Sequence, residues 1–138
     1  MAGEMQTTRS VADNEKITIN LGFIDLGQIE LLVKEGFYSN RTDFIRTAIR
    51  NQLGRHDDAL RRSAERRSLD LGLRRVTRQD LETAKAHGTM LALNVLGLAI
   101  IDPDVTAELA LDTIASLHVL GSLQASPAVK AALRDRIG

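Results

Sequence analysis

The chain has 138 residues, 18 basic and 18 acidic residues, and no cysteine. Its length allows one ordinary domain or two small ones. The lack of cysteine excludes disulfides, thiolate chemistry and cysteine-based zinc sites. No apolar run approaches the length of a membrane span, and no basic region followed by an apolar one opens the chain, so a cytoplasmic protein is expected.

The zero net charge conceals an uneven distribution of charge along the chain. Residues 41–78 contain eleven arginines and five acidic residues, whereas residues 81–138 contain four basic and six acidic residues. Attraction to phosphate depends on the charge of a local surface rather than on the total. The first part of the chain is therefore compatible with a nucleic-acid partner.

After a predicted flexible arm, residues 1–15, the chain alternates between polar and apolar side chains. The polar positions are Lys16, Thr18 and Asn20, and the apolar positions are Ile17, Ile19 and Leu21. A period of two over six residues predicts a half-buried β-strand.

Two helices are predicted directly after this strand. The first runs from about Asp25 to Glu35 and ends at Gly36, a residue suited to a helix C-terminus. The second begins after Asn40, a favourable N-cap residue, with Asp43 in its first turn, and it extends to about Leu53.

A lone strand leaves its backbone groups without hydrogen-bond partners, and a unit of this size buries little apolar surface. Pairing with the same strand of a second copy solves both problems. The resulting two-stranded ribbon would present the polar side chains of Lys16, Thr18 and Asn20 together on its outer face. Such a ribbon fits the major groove of DNA, where lysine, threonine and asparagine can read base edges.

The alternating segment KITINL, the run GFYSNRTDFIRTAIR and the loop of residues 36–40 resemble the ribbon–helix–helix domain of the Arc/MetJ/CopG superfamily. The resemblance implies an obligate intertwined dimer that binds double-stranded DNA. It implies base contacts by Lys16, Thr18 and Asn20, and phosphate contacts by Ser39, Asn40, Arg41 and Thr42. Gly22 stands where many members of the superfamily have proline.

Other interpretations of these residues remain open. The three polar strand residues could be the solvated face of an edge strand, and Arg41 could be an ordinary surface residue. The aromatic residues are all in this region, which favours core packing over base stacking; they are Phe23, Phe37, Tyr38 and Phe44.

Residues 54–75 are rich in arginine and are predicted to form a solvated connector, partly helical. Additional phosphate contacts by its arginines are the alternative. The alternation of Leu69, Leu71 and Leu73 suggests a short strand there, which Gly72 would weaken.

Residues 76–138 are predicted to form a small α/β domain. Its expected elements are a helix at Thr77–Ala86, a strand buried on both faces at Met90–Ile101, a helix at Val105–Ile114, a strand at Ser116–Gln124 and a helix from Pro127 to about Arg136.

An internal repeat supports this division of the chain. The segment Leu93–Gly97 matches Leu117–Gly121 at a period of twenty-four residues, and each copy belongs to a predicted strand–turn–helix unit. The expected fold class is therefore α+β: an N-terminal ribbon–helix–helix, residues 16–53, followed by an α/β domain with a twofold repeat. This second domain is expected to mediate oligomerisation or to bind a partner protein.

No catalytic, cofactor or metal site is predicted. His56, His87 and His118 lie in three separate contexts without ligand spacing. The superfamily includes nickel-responsive repressors with histidine and cysteine ligands, but this chain has neither the cysteine nor a histidine cluster. An enzyme is therefore not expected.

The sequence thus predicts a dimeric, sequence-specific transcriptional regulator, most simply a nucleoid-associated repressor. Two alternatives remain: an antitoxin or partition-type protein whose second half binds a protein partner, and a self-assembling protein that coats the chromosome.

Overall fold

A computed structural model of the chain describes residues 14–138, within which Lys16–Ser63 and Ala64–Gly138 form two compact units. Most of the predicted N-terminal arm, residues 1–15, lies outside the described residues. Within the described part, no helix is long and apolar enough to cross a lipid bilayer.

The first unit contains two helices that follow an extended segment. Helix α1 spans Phe23–Lys34 and helix α2 spans Arg41–Arg55, close to the predicted bounds. Gly36 terminates helix α1 just beyond its C-cap residue Glu35, and its φ of 86° allows the amide of Phe37 to donate to the carbonyl of Leu32. Helix α3, Asp57–Arg66, follows.

Residues 14–22 form neither helix nor strand in the single chain. A strand is recognised by its backbone hydrogen bonds to a neighbour, and the ribbon expected at Lys16–Leu21 has its partner strand in a second copy. The pairing of this segment therefore stays a prediction.

The second unit is a three-stranded parallel sheet in the order β1–β2–β3, with one helix after each strand. The strands are β1 Asp70–Val76, β2 Leu91–Ile101 and β3 Ile114–Gln124; the helices are α4 Arg78–Ala86, α5 Ala107–Thr113 and α6 Pro127–Ala132, and a 3-10 turn at Arg134–Arg136 follows the last. Helix α4 begins with a reciprocal capping box between Thr77 and Asp80, at the start of the helix predicted for Thr77–Ala86.

The repeat has three strand–helix units instead of two. Strand β1 is the third, and its Gly72 is in register with Gly97, which is in register with Gly121. The sequence predicted a short strand here but not its match to the repeat, because Arg74 and Arg75 occupy the positions that Ala99 and Ile100 occupy in β2.

The helices cover one face of the sheet and form the core with it. The buried core residues are Val76, Leu81, Leu93, Ile101, Val105, Leu109, Ala110, Ile114, Leu117, Val129 and Leu133. Strand β2 alternates between buried and partly exposed residues, so within a single chain only one of its two faces is buried. Its apolar run is long because leucines also occupy the face that the helices leave open.

Candidate nucleic-acid interface

The three predicted base-contacting side chains, Lys16, Thr18 and Asn20, are all exposed in the segment before α1. Their apolar neighbours are exposed as well: 77% of Ile17 and 61% of Ile19 remain accessible in the single chain. The apolar face of this segment therefore lacks the cover that a half-buried strand needs.

The helices below this segment also lack apolar cover. Ile29 is the one residue of α1 and α2 that is buried. Phe23, Ile24, Leu31, Phe37, Ile49 and Leu53 are exposed large apolar residues of the same unit. A cavity of about 320 Å³, lined in part by Leu21, Ile29, Leu32 and Phe44, opens between the two helices. This amount of exposed apolar surface indicates that the unit is completed by a second chain.

The N-terminus of α2 contains the four residues that were predicted to contact phosphate. The side chain of Asn40 accepts a hydrogen bond of 2.8 Å from the amide of Asp43, which confirms the predicted N-cap. Within residues 14–138, the amides of Arg41 and Thr42 have no hydrogen-bond acceptor. Free amides at the positive end of a helix dipole form a site that favours an anion.

The side chain of Asp43 modifies this site. Its carboxylate accepts a hydrogen bond of 2.9 Å from the amide of Ser39, so that this amide is already occupied. The carboxylate also places a negative charge in the first turn of the helix. Phosphate binding at this end would therefore depend on the amides of Arg41 and Thr42 and on nearby basic side chains.

Two basic side chains are close to the α2 N-terminus. Arg41 forms an ion pair with Glu30 of α1, with 3.6 Å between Nη1 and Oε2 and both side chains more than half exposed. An exposed pair of this kind is worth at most about 1 kcal/mol, so a phosphate can compete for the guanidinium. Lys34 lines a cavity of about 780 Å³ together with Ser39, Asn40 and Arg41.

The structure thus places Ser39, Asn40 and Arg41 around one cavity, while Thr42 does not line it. Lys34 was missed by the sequence analysis. Its position in the last turn of α1, two residues before the helix-ending Gly36, was the available signal.

Several of the arginines that follow α2 are paired with acidic residues. Arg61 contacts Asp57 and Asp58, and Arg78 contacts Glu82. Arg75 donates a 2.8 Å hydrogen bond from Nε to Asp102, and this contact raises the pKa of its guanidinium. The pairs of Arg61 and Arg78 are as exposed as the pair of Arg41 with Glu30 and are worth as little, so the alternative of additional phosphate contacts by residues 54–75 stays a prediction.

The three histidines remain apart in the structure. The Nδ1 atom of His87 lies 2.9 Å from the carbonyl oxygen of Thr83, and His56 lies beside Gln52 of its own helix turn. His118 lies on β3 next to Gly138. Among residues 14–138, no cluster of three histidine, aspartate or glutamate side chains could hold a metal ion.

An extended segment with alternating side chains, two helices joined by a short loop and a capped, anion-favouring helix N-terminus define the ribbon–helix–helix class. A family model agrees with this class over most of the chain. The chain belongs to the Ribbon-Helix-Helix transcriptional regulator family, whose model matches residues 12–130. The protein is therefore a DNA-binding transcriptional regulator, and regulators of this kind generally bind DNA as dimers.

The family match extends well beyond the first unit and includes all three strands of the parallel sheet. The second unit is thus part of what the family has in common. No curated protein and no solved structure matches the chain.

Proposed function

We propose that the protein is a sequence-specific repressor that reads the major groove with a two-stranded ribbon formed by residues 16–21 of two intertwined chains. The observation that carries the proposal is the exposed apolar face of Ile17 and Ile19 in a segment without a partner strand. When these side chains pack onto the helices of the dimer, the alternation of the segment turns Lys16, Thr18 and Asn20 outward.

The chemistry of the outward side chains suggests which bases they read. Lysine favours the two acceptors on guanine, and asparagine favours the donor and acceptor pair on adenine. The N-terminus of α2 would hold a phosphate and set the orientation of the ribbon, with Arg41 released from Glu30. The proposed location is the cytoplasm, on the nucleoid, and the proposed activity is binding without catalysis.

A selection experiment tests the base readers. Full-length protein and the double variant Lys16→Ala/Asn20→Ala would be incubated with a randomised duplex pool, and the bound sequences would be read out. Each lost base contact should remove roughly 1–3 kcal/mol of discrimination, so the variant should lose sequence preference and keep its salt-sensitive binding. Lys130→Ala removes an exposed lysine from the other unit and should select the same sequences as the wild type.

The same assay separates phosphate contacts from base contacts. Arg41→Ala should weaken binding to all sequences alike and reduce the slope of log Kd against log salt by about one. Unchanged selection by Lys16→Ala/Asn20→Ala would move recognition away from the ribbon. A wild-type protein that fails to bind any duplex at low salt would contradict the proposed function as a whole.

One observation favours a second candidate, a self-assembling protein that coats the chromosome. Strand β1 is an edge strand with Leu71 and Leu73 exposed, and an open apolar edge can pair with another chain. Light scattering across a wide range of protein concentration distinguishes the candidates: a repressor should keep a discrete mass, whereas a coating protein should grow with concentration.

A further inference from the structure

The sheet of the second unit has an apolar face that the helices do not cover. Register places Leu71, Leu96 and Leu120 in one row across the three strands. In the next row Leu73 lies beside Leu98, and the polar Ser122 completes the row on β3. The accessible fractions of Leu71, Leu73 and Leu120 are 81%, 62% and 52%. We call the five leucines of these two rows the leucine face.

A parallel sheet is a structure in which both faces are normally covered, because a helix or another layer packs on each. Here α4, α5 and α6 all contribute to the core on the opposite face. Had the open face evolved to contact water, alternation would place polar residues on it. Its leucines indicate instead that another apolar surface packs there.

The composition of the face around the leucines resembles that of a protein–protein contact. Polar residues adjoin the leucine face at both ends of the strands, with Asn94 beside His118 at one end and Arg75 in line with Gln124 at the other. An apolar centre with a polar rim is the usual anatomy of an interface. The guanidinium of Arg75 is neutralised by Asp102 at 2.8 Å, so two such faces can approach without strong charge repulsion.

A second copy of the same face is the occupant that the family membership favours. Regulators of this family generally bind DNA as dimers, so every molecule contains two copies of the sheet. Residues 54–69 connect each sheet to the ribbon–helix–helix unit, and a tether this short keeps two copies at an effective concentration in roughly the millimolar range. A twofold contact needs only one surface that complements itself, and a patch of leucines meets that requirement.

We propose that the leucine face is the site at which the two C-terminal units of one dimer pack on each other. The proposal rests on the dimer proposed above and adds a second interface to it. Each dimer is then closed on itself, with the ribbon at one contact and the leucine faces at the other, and its sheets are covered on both sides. The leucine face is thereby kept from joining separate dimers into a polymer.

Single cysteines provide a direct test, because the natural chain contains none. Leu98→Cys places a thiol at the centre of the leucine face, and Lys130→Cys places a matched thiol on exposed α6, on the helix-covered side of the sheet. Each full-length variant would be treated at low protein concentration with a bismaleimide that spans about 10 Å, the usual spacing of packed sheets. Leu98→Cys should be cross-linked at least roughly ten times faster than Lys130→Cys, because the tethered partner thiol is always near.

The native mass of each sample decides among the outcomes. A cross-linked product at the mass of a dimer supports the proposal. A cross-linked product at the mass of a tetramer overturns it, because the leucine face would then join separate dimers. A dimer in which both variants react equally slowly also overturns it and leaves the ribbon dimer intact, whereas a monomeric chain contradicts the proposed function itself.

A double variant tests the same interface without cross-linking. Leu71→Glu/Leu120→Glu should leave the native mass that of a dimer, since the ribbon is unchanged, and should lower Tm by at least about 5 °C. On a face open to water, substitutions at such exposed positions alter stability little. A Tm equal to that of wild type and of the charge control Lys130→Glu would therefore count against the proposal.

Discussion

At the scale of single residues, the glycines of the sheet have the clearest structural role. Gly72, Gly97 and Gly121 are in register, and each has a positive φ, between 114° and 140°. A Cβ at Gly121 would overlap the carbonyl oxygen of Gly97, and a Cβ at Gly97 would overlap that of Gly72. Gly72 has open space on this side because β1 is the edge strand.

This difference predicts unequal effects of alanine at equivalent positions. Gly97→Ala should destabilise the unit by more than about 3 kcal/mol, since it combines an unfavourable φ with an overlap against backbone. Gly72→Ala carries the same unfavourable φ without the overlap and should cost about 1–2 kcal/mol. Urea unfolding of both variants measures the difference, and equal losses would show that the overlap is relieved elsewhere.

At the scale of elements, helix starts are determined by local side-chain hydrogen bonds. Helix α4 begins where Thr77 accepts from the amide of Asp80 and Asp80 accepts from the amide of Thr77, at 3.1 and 3.0 Å. The hydrogen bond from the Thr77 amide lowers the pKa of the Asp80 carboxyl. Because the pKa is lower in the folded state than in the unfolded state, the ionised carboxylate adds stability above its unfolded pKa.

This contribution should disappear as the pH falls through the folded pKa of Asp80. Asp80→Asn should therefore be less stable than wild type at neutral pH, and the difference should shrink in acid below the ordinary aspartate range. Thr77→Ala, which loses the side-chain acceptor, should cost about 1 kcal/mol at neutral pH. Thermal unfolding at a series of pH values measures both, and a difference for Asp80→Asn that does not change with pH would exclude this linkage.

At the scale of the whole molecule, dimerisation is expected to bury the apolar surface that a single chain leaves exposed. The segment before α1 and the helices of the first unit expose apolar side chains that a partner chain must bury. Burial of this surface releases about 25 cal/mol for each square ångström and is the main favourable contribution to the dimer. Folding of the first unit and dimerisation are therefore expected to be one process.

Side chains of the ribbon alternate between its two faces, so substitutions at neighbouring residues can test whether the ribbon holds the dimer together. Ile19→Glu puts a charge on the buried face of the ribbon and should convert the dimer to a monomer that does not bind DNA. Thr18→Ala changes the outer face and should preserve the dimer while altering sequence preference. Sedimentation velocity at several protein concentrations gives the masses, and a stable Ile19→Glu dimer would mean that the ribbon is not the principal contact.

Local signals in the sequence were sufficient for most of the helices and strands. Asn40, Gly36, Thr77 and Ser126 act through hydrogen bonds within a few residues, so the boundaries that depend on them could be predicted without knowledge of the fold. Two helices were exceptions: α5 begins at Ala107, two residues after its predicted start, and the last helix ends at Ala132 and continues as a 3-10 turn.

The candidate site was predictable to a similar extent. Alternation and capping identified Lys16, Thr18, Asn20 and the N-terminus of α2, because these features lie within a few residues of one another. The pairing of Arg41 with Glu30 and the position of Lys34 were not predictable, since both depend on how α1 packs against α2.

The sequence by itself determined the class of the first unit, the starts of the helices and the alternation of the strands, because all of these depend on neighbouring residues. Tertiary structure alone decided the third repeat, the register of the glycines and the leucine face. All three features depend on the pairing of strands that are about twenty-five residues apart in the sequence. This pairing decides which side chains share a face of the sheet, and no local pattern in the chain can assign that.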